Sequence, residues 1–232
     1  REHMDYYKNY SVLKKKIKTF ISRVSKKSKV FLNRDDKFLK TLTHSSKNII
    51  PFGGNSKPIY SYKIQKLSHN KSIFDFYFNK KKIIKNITSP LLGEHNIENL
   101  TAVLSVIHNL GIKINKKDIK NYRGTMRRMN LLGSINKSLF IDDYAHHPTE
   151  IDKLVKVSKL YKKKEIFLIL EPHRYSRLND LYKEYLQTLK NINNLYILKT
   201  YSAGEAIKKN MKDSKNLVND LNVKYKKQTG YL

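Results

Sequence analysis

Cysteine is absent from the 232 residues of the chain. Its absence excludes disulfide bonds, thiolate zinc sites and a cysteine nucleophile. The sequence also lacks any apolar run close to the roughly 20 residues that a transmembrane helix needs, and no secretory signal pattern opens it. We therefore expect a cytoplasmic protein with no membrane partner, whose length allows a core in one or two domains.

Acidic residues are scarce, with 19 Asp and Glu against 48 Lys and Arg, which gives a formal net charge of +29. Such a surplus is typical of proteins that bind nucleic acid. Lys, however, accounts for 40 of the basic residues and is scattered along the whole chain. Scattered lysines are typical of solvated faces, so we expect no nucleic-acid partner. A non-catalytic, basic nucleic-acid-binding protein remains an alternative.

The eight arginines are less evenly spread. Arg127 and Arg128 lie in GTMRRM, and Arg174 and Arg177 lie in PHRYSR. In a chain so rich in Lys, Arg is expected where a planar, bidentate fork is required. Two arginines three residues apart suit the binding of a carboxylate or phosphate. PHRYSR is therefore a candidate anion site, whereas GTMRRM alone fits a solvated basic turn equally well.

The second half of the chain repeats the order strand, loop and helix. Short apolar runs predict strands at 139–141, 165–170 and 194–199, and apolar residues at helical spacing follow the first two. Pro148 suits the first turn of a helix, with Glu150 near its positive end. This order predicts a parallel sheet with right-handed crossovers.

A polar loop follows each of these strands: DDYAHH, PHRYSR and YSAGE. Because ligands bind at the carboxyl edge of parallel sheets, we expect the three loops to converge on one crevice. The first loop could also ligate a transition metal. Adjacent residues rarely aim at one ion, and His147 before a proline is confined to extended conformations. A substrate-binding loop therefore fits better, and the lack of a GxSxG elbow argues against Ser176 as a nucleophile.

The first half is organised differently. Residues 9–27 predict a helix, and strands are predicted within 29–36, 48–54, 57–65 and 72–84, with turns at Gly53-Gly54 and Asn79.

Residues 90–112 predict a further helix that opens at Gly93 and is capped by Gly111. The backbone amides at its start could meet an anion or a purine edge, although an ordinary capped helix explains this segment better when it is taken alone. We place a domain boundary in the polar stretch that follows, which divides the chain into 1–114 and 115–232.

Six segments, taken in order, resemble those of the Mur ligases: EHMDYY, GEHNIEN, GTMRRM, DDYAHHPTEI, PHRYSRL and YSAGE. The resemblance spans nearly the whole chain and is greatest to the member that joins L-alanine to UDP-N-acetylmuramate. It implies an α/β protein, with the C-terminal part of a central ATPase domain followed by a truncated Rossmann-like domain. It also implies ATP and Mg²⁺ as cofactors, and an acyl phosphate that the amine of L-alanine attacks to form an amide.

The resemblance implies roles for single residues at the nucleotide. His95 and Asn99 match the pair at the adenine. Arg128 matches an arginine that reaches ATP phosphate, and Asp143 matches the acid at the ribose. His3 matches a histidine that helps to hold Mg²⁺.

A second set of residues falls where the family handles the amino acid and the acyl phosphate. His146, Arg174 and Arg177 are the implied catalytic residues, and both arginines are also implied to bind substrate. His173 matches a residue that lines the side chain of the amino acid.

The sequence departs from the family in one important respect. It contains no GxxGK[ST] phosphate loop and no UDP-sugar domain. We therefore expect a missing N-terminal half in the same native chain, and we expect these 232 residues alone not to turn over ATP. The alternatives are the recycling ligase that adds a tripeptide to the same sugar, which Tyr144 and HHPTE disfavour, and a remnant that folds without catalysing.

Overall fold

The computed structural model describes residues 4–55 and 58–232. Contacts divide the chain into two compact units. The first unit is Ser11–Met126, and the second is Arg127–Leu232 together with the described residues before Ser11. Elements are numbered in chain order, and α1 (Met4–Tyr7) belongs to the second unit.

The first unit is built on a five-stranded sheet in the order β1-β2-β3-β4-β5. β1, β2 and β3 pair in parallel, whereas β4 is antiparallel to both its neighbours. The strands are β1 (Val30–Asn33), β2 (Ile49–Gly53), β3 (Tyr60–Leu67), β4 (Ser72–Phe78) and β5 (Lys81–Ser89). The helices are α2 (Tyr10–Ser22), α3 (Glu94–Asn109) and α4 (Lys116–Asn121).

The core of this unit lies between the sheet and α3. Phe74 and Phe76 of β4 and Ile97 of α3 are fully buried in one cluster. Helix α4 packs on β5, with Ile119 against the same cluster. The compact unit therefore extends to Met126, beyond the boundary after residue 114 that the sequence suggested.

The turn between β4 and β5 confirms the predicted turn at Asn79. Asn79 and Lys80 have φ values of 47° and 65°. A two-residue hairpin turn of type I′ has positive φ at both of its central residues, and its backbone twist matches that of the flanking strands. The chain forms it here with Asn-Lys.

The end of α3 confirms Gly111 as a helix cap. Gly111 has φ +71°, the left-handed conformation that glycine adopts at no steric cost. Its N–H donates to the carbonyl of His108 at 3.0 Å, and the N–H of Ile112 donates to that of Ile107 at 3.1 Å. This pair of bonds is the Schellman motif, which satisfies two carbonyls that the helix leaves unpaired.

The second unit combines a parallel sheet with a separate hairpin. The sheet has the order β10-β9-β8, and the hairpin pairs β6 with β7. The strands are β6 (Asn130–Ile135), β7 (Ser138–Asp142), β8 (Phe167–Leu170), β9 (Asn194–Ile197) and β10 (Gly230–Tyr231). The helices are α5 (Pro148–Ser158), α6 (Tyr175–Asp180), α7 (Tyr182–Leu189) and α8 (Ser214–Tyr225).

One part of the predicted topology was wrong. β8 and β9 are parallel neighbours as expected, but β7 pairs antiparallel with β6 and not with the parallel sheet of the described residues. The physical reason is local: Asn136 and Lys137, with φ values of 47° and 65°, form a second type I′ turn. Closing a two-residue loop costs less entropy than a long crossover, so the hairpin forms.

Replacing Gly111 with Ala is expected to lower the free energy of unfolding of the first unit by about 1 kcal/mol, because an L-residue at positive φ is strained. A Cβ at this position meets no atom within 4 Å, so backbone conformation alone decides the effect. Urea denaturation measures it. Gly133→Ala is the matched control, because Gly133 is also open within 4 Å but has no positive φ. A loss of equal size in both variants would contradict the assignment.

Within the two described ranges, no helix combines the length and the apolar character needed to cross a bilayer.

Candidate active site in the second unit

Four rings from the three polar loops lie side by side in the second unit. The ring centroids of Tyr144 and His146 are 4.9 Å apart, those of His146 and His173 are 5.6 Å apart, and those of His173 and Tyr201 are 5.1 Å apart. An isolated parallel bridge also joins His173 to Tyr201. The loops after β7, β8 and β9 therefore meet, although β7 is not in the parallel sheet. We call these four residues the ring cluster.

His146 is held on both its side chain and its backbone. Its Nδ1 lies 2.8 Å from the carbonyl oxygen of Tyr144. A carbonyl can only accept, so Nδ1 carries the proton and Nε2 of the neutral ring is the basic nitrogen. The carbonyl of His146 accepts the hydroxyl of Tyr185, which is fully buried in the core. The core thus fixes the position of the imidazole.

His147 has a different role from its neighbour. It is extended, with φ −91° and ψ 141°, as expected before a proline, and its Nδ1 accepts the N–H of Thr149 at 3.2 Å. Glu150 in turn accepts the N–H of His147, which completes a capping box at the start of α5. In residues 4–55 and 58–232, no group of three or more His, Asp or Glu side chains could hold a metal ion. The geometry therefore makes His147 a helix cap.

Arg174 is held in an unusual conformation at the start of α6. Its φ is 74°, in a region that non-glycine residues rarely adopt, and such strain is typical of functional sites. Its N–H donates to the carbonyl of Tyr201 at 2.7 Å. The guanidinium donates through both Nε and Nη2 to one carboxylate oxygen of Glu205, each at 2.7 Å. Both side chains are largely buried.

Arg177 lies one helical turn further along α6. Its Nη1 donates to the carbonyl of His173 at 2.7 Å. Burial lowers the pKa of His173, and the positive charges of Arg177 and Arg174 lower it further. The imidazole of His173 therefore favours its neutral form. The guanidinium of Arg174 pairs with Glu205, and that of Arg177 lies beside the His173 ring.

An NMR titration of His173 is expected to have its midpoint below the ordinary value of 6.5. In Arg177→Gln the midpoint is expected to rise, because a neighbouring cation disfavours the charged imidazole. The same depression means that His173 favours the folded state above pH 6.5, and this contribution is lost as pH falls through the folded-state pKa. Arg23→Gln, an exposed arginine of the first unit, is the control. An unchanged midpoint in Arg177→Gln would refute the electrostatic cause.

Arg128 and Asp143 lie at the entry to the first polar loop. The carboxylate of Asp143 accepts the N–H groups of Met129 and Ala145, each at 2.8 Å. The guanidinium of Arg128 is 3.6 Å from the carboxylate of Glu150 and half exposed. Arg128 is thus close to Glu150, which also accepts the backbone N–H of His146. Asp143 in turn binds the backbone of Met129, the residue after Arg128.

The predicted adenine pair lies in the first unit. His95 and Asn99 are four residues apart on α3 and so share one face of the helix. His95 is half-buried and Asn99 is exposed. The helix opens at Gly93, whose φ of 87° only glycine adopts without strain.

Carboxylates surround the first turn of α3. The hydroxyl of Tyr62 donates to Glu94 at 3.3 Å, and the amide of Asn33 donates to Glu98. Burial raises the pKa of Tyr62, and the charges of Glu94, Glu98 and Asp35 raise it further. So acidic a setting suits the uncharged base of a nucleotide better than its phosphates. His3, the predicted Mg²⁺ residue, lies outside the described residues.

The sequence did not indicate three residues of the candidate active site in the second unit. They are Tyr185, Tyr201 and Glu205. Tyr185 acts from the core, and no pattern in the sequence indicates its bond to His146. Tyr201 and Glu205 stand in YSAGE, the third loop at a strand end. In a chain with so few acids, a carboxylate in a loop next to an arginine-rich loop was the available signal.

Sequence comparisons match both parts of the chain to one family. Residues 1–107 match the Mur ligase middle domain, and residues 127–229 match the domain described as Mur ligase, glutamate ligase domain. A UDP-N-acetylmuramate–L-alanine ligase from Pelagibacter ubique is 39% identical over 217 residues, which are 90% of this chain and 47% of the relative. The same enzyme from Aquifex aeolicus is 32% identical over 209 residues, 88% of this chain and 46% of the relative.

Solved structures show the same fold. The UDP-N-acetylmuramate–alanine ligase of Thermotoga maritima aligns with all of this chain and 48% of its own, with a TM-score of 0.73 and 19% identity. A second Mur ligase from that organism, solved in complex with ADP, aligns with a TM-score of 0.65 and 16% identity, over all of this chain and 55% of its own. The chain thus spans about half the length of the relatives it matches, and it belongs to the Mur ligase family, with a middle domain followed by a C-terminal domain.

Proposed function

We propose that this chain is part of an ATP-dependent, ADP-forming ligase that joins L-alanine to UDP-N-acetylmuramate in peptidoglycan precursor synthesis in the cytoplasm. The names of the relatives that share 28–39% identity support this reaction. The observation that carries it is the pairing of two anchored arginines, Arg174 and Arg177, with the oriented imidazole of His146. One end of an amino acid is an anion and the other is an amine that must lose a proton, and the second unit offers a partner for each.

The two arginines bind the carboxylate of L-alanine in this proposal. Arg174 is fixed by Glu205 and Arg177 by the carbonyl of His173, so both guanidinium groups are pre-oriented. Pre-orientation lowers the entropy lost on binding. The ring of His173 lines the side chain of the amino acid in this proposal.

His146 acts as the base. Its Nε2 takes a proton from the ammonium of L-alanine, which frees the nitrogen lone pair to attack the activated muramoyl carboxylate. The Nδ1–H bond to Tyr144 supports this step, because it fixes the tautomer in which Nε2 is basic. The nitrogen forms the new amide bond, and phosphate leaves.

ATP supplies the phosphoryl group that activates the muramoyl carboxylate. We propose that His95 and Asn99 bind its adenine, that Asp143 binds the ribose and that Arg128 contacts a phosphate. The ADP complex of a structural neighbour supports nucleotide binding by this fold. We propose Mg²⁺ as the accompanying ion, with His3 among its partners, and assign no step to it.

The test is ADP release by the protein at its native length, supplied with UDP-N-acetylmuramate, ATP and either L-alanine or a tripeptide. We expect L-alanine to support turnover and the amide product to appear by mass spectrometry. Turnover with the tripeptide alone would support the recycling ligase instead. The 232-residue chain by itself is expected to release no ADP above background. No L-alanine-dependent release of ADP by the protein at its native length would refute the proposed function.

A further inference from the structure

Glu205 accepts hydrogen bonds from two residues, Arg174 and Ser176. One oxygen accepts Nε and Nη2 of Arg174 at 2.7 Å each and the hydroxyl of Ser176 at 2.6 Å. The other accepts the N–H of Ser176 at 2.9 Å. Burial raises the pKa of Glu205, but the bonds from Ser176 and the charge of Arg174 hold it below its ordinary value. The residue is thus a half-buried acid that favours its ionised form.

These contacts do more than join two loops. The loop after β8 and the loop after β9 are already tied through their backbones, by the bond from Arg174 to Tyr201 and by that from Tyr201 to Pro172 at 2.8 Å. Neither bond involves the Glu205 side chain. Two of the bonds to the carboxylate come from Ser176 in α6, and the other two come from the Arg174 side chain, whose guanidinium they hold in one direction.

We propose that Glu205 is a positioning residue for the amino-acid subsite. It aims Arg174 at the carboxylate of the incoming amino acid and keeps the guanidinium from sampling its other rotamers. This inference rests on the proposed function, because it assigns the anion at Arg174 to the amino acid. Glu205 itself touches no reacting atom.

The negative charge of Glu205 has two opposing effects on the binding of an anion at Arg174. A carboxylate partner reduces the net charge that a substrate anion meets, yet a fixed fork needs no reordering when that anion binds. Arg177 donates to a neutral carbonyl, that of His173. Glu205 therefore sets the direction of the Arg174 guanidinium.

Steady-state kinetics of Glu205→Gln, in the protein at its native length, test the proposal. Glutamine keeps the size of the side chain but replaces one carboxylate oxygen by an NH₂ donor. It therefore cannot accept hydrogen bonds at both positions that now face Arg174 and Ser176. We expect the KM for L-alanine to rise roughly tenfold to a hundredfold, as for the loss of a charged hydrogen bond. We expect the KM for ATP to change less than about twofold, because the predicted adenine pair lies on α3. Glu205→Asp keeps the charge on a shorter side chain. Its KM for L-alanine is expected to lie between those of the wild type and Glu205→Gln.

Glu165→Gln is the matched control, because Glu165 is exposed and carries the same chemical change elsewhere in the second unit. A direct readout is the Nε–H signal of Arg174 in ¹⁵N-labelled protein, assigned with Arg174→Lys. It is expected to be sharp and shifted in the wild type and in Glu165→Gln, and to lose this shift in Glu205→Gln.

The outcomes separate two failures. A wild-type protein without L-alanine-dependent turnover would refute the proposed function, whatever the variants do. An active wild type with an unchanged KM for L-alanine in Glu205→Gln would overturn the positioning role alone. If Glu205→Gln does not fold, as judged by thermal unfolding, Glu205→Asp decides: a raised KM for L-alanine supports the proposal, and a wild-type KM overturns it.

Discussion

Lysine in place of Arg174 is expected to lower L-alanine-dependent ADP release at least about a hundredfold in the protein at its native length, the effect typical of losing one pre-organised donor in an active site. Arg174 presents Nε and Nη2 to Glu205 from one rigid plane. The ammonium of lysine is a single point on a flexible stem and cannot reproduce that fork. The charge is kept, so the change isolates geometry.

Two comparisons make this result decisive. Arg23→Lys changes the same atoms at an exposed position of the first unit and is expected to leave activity unchanged. Unfolding of Arg174→Lys, followed by circular dichroism, shows whether the second unit is intact. A folded Arg174→Lys protein with activity within about threefold of wild type would mean that charge alone matters at this position, since a fork is worth tenfold or more.

Removing the buried side chain of Leu178 is expected to cost the second unit about 3 kcal/mol in Leu178→Ala, from lost burial and the cavity left behind. Leu178 is 0% exposed and packs among Leu181, Tyr185 and other core residues. It follows Arg177 directly in α6. Loss of the Leu178 side chain should therefore also loosen α6, which contains Arg177 and directly follows Arg174.

Urea denaturation, with the midpoint and the slope fitted separately, measures this cost. Leu132→Ala provides the control, because Leu132 is 70% exposed in β6 and its truncation is expected to change stability by less than about 0.5 kcal/mol. Equal losses in the two variants would show that α6 does not depend on the core beneath it.

Local features of the fold followed from the sequence. The start of α5 at Pro148, the cap at Gly111 and the turn at Asn79 each depend on residues close together in the chain. Short-range sterics decide such features, so a sequence pattern contains the necessary information. The pairing of β7 depended on whether the chain forms a local hairpin or a long crossover. The apolar run of β7 is compatible with either, so the sequence pattern does not distinguish them.

The candidate site was predictable in outline only. Strand ends gave the three loops, and these do meet in the ring cluster, although one strand belongs to another sheet. Partners such as Glu205 for Arg174 were not predictable, because they lie 31 residues apart and depend on how two loops are folded. The roles of the single residues at the nucleotide stay predictions.

The positive φ of Arg174 has a consequence for how this position can change during evolution of the family. At φ 74° this position would accept glycine more readily than any other residue, so mutation towards glycine relaxes the chain while it removes the guanidinium. An arginine at this position is expected where its guanidinium has a function, such as the substrate binding proposed above. A related chain with glycine at this position and a changed Glu205 would be a pseudoenzyme, which keeps the fold but has lost the reaction.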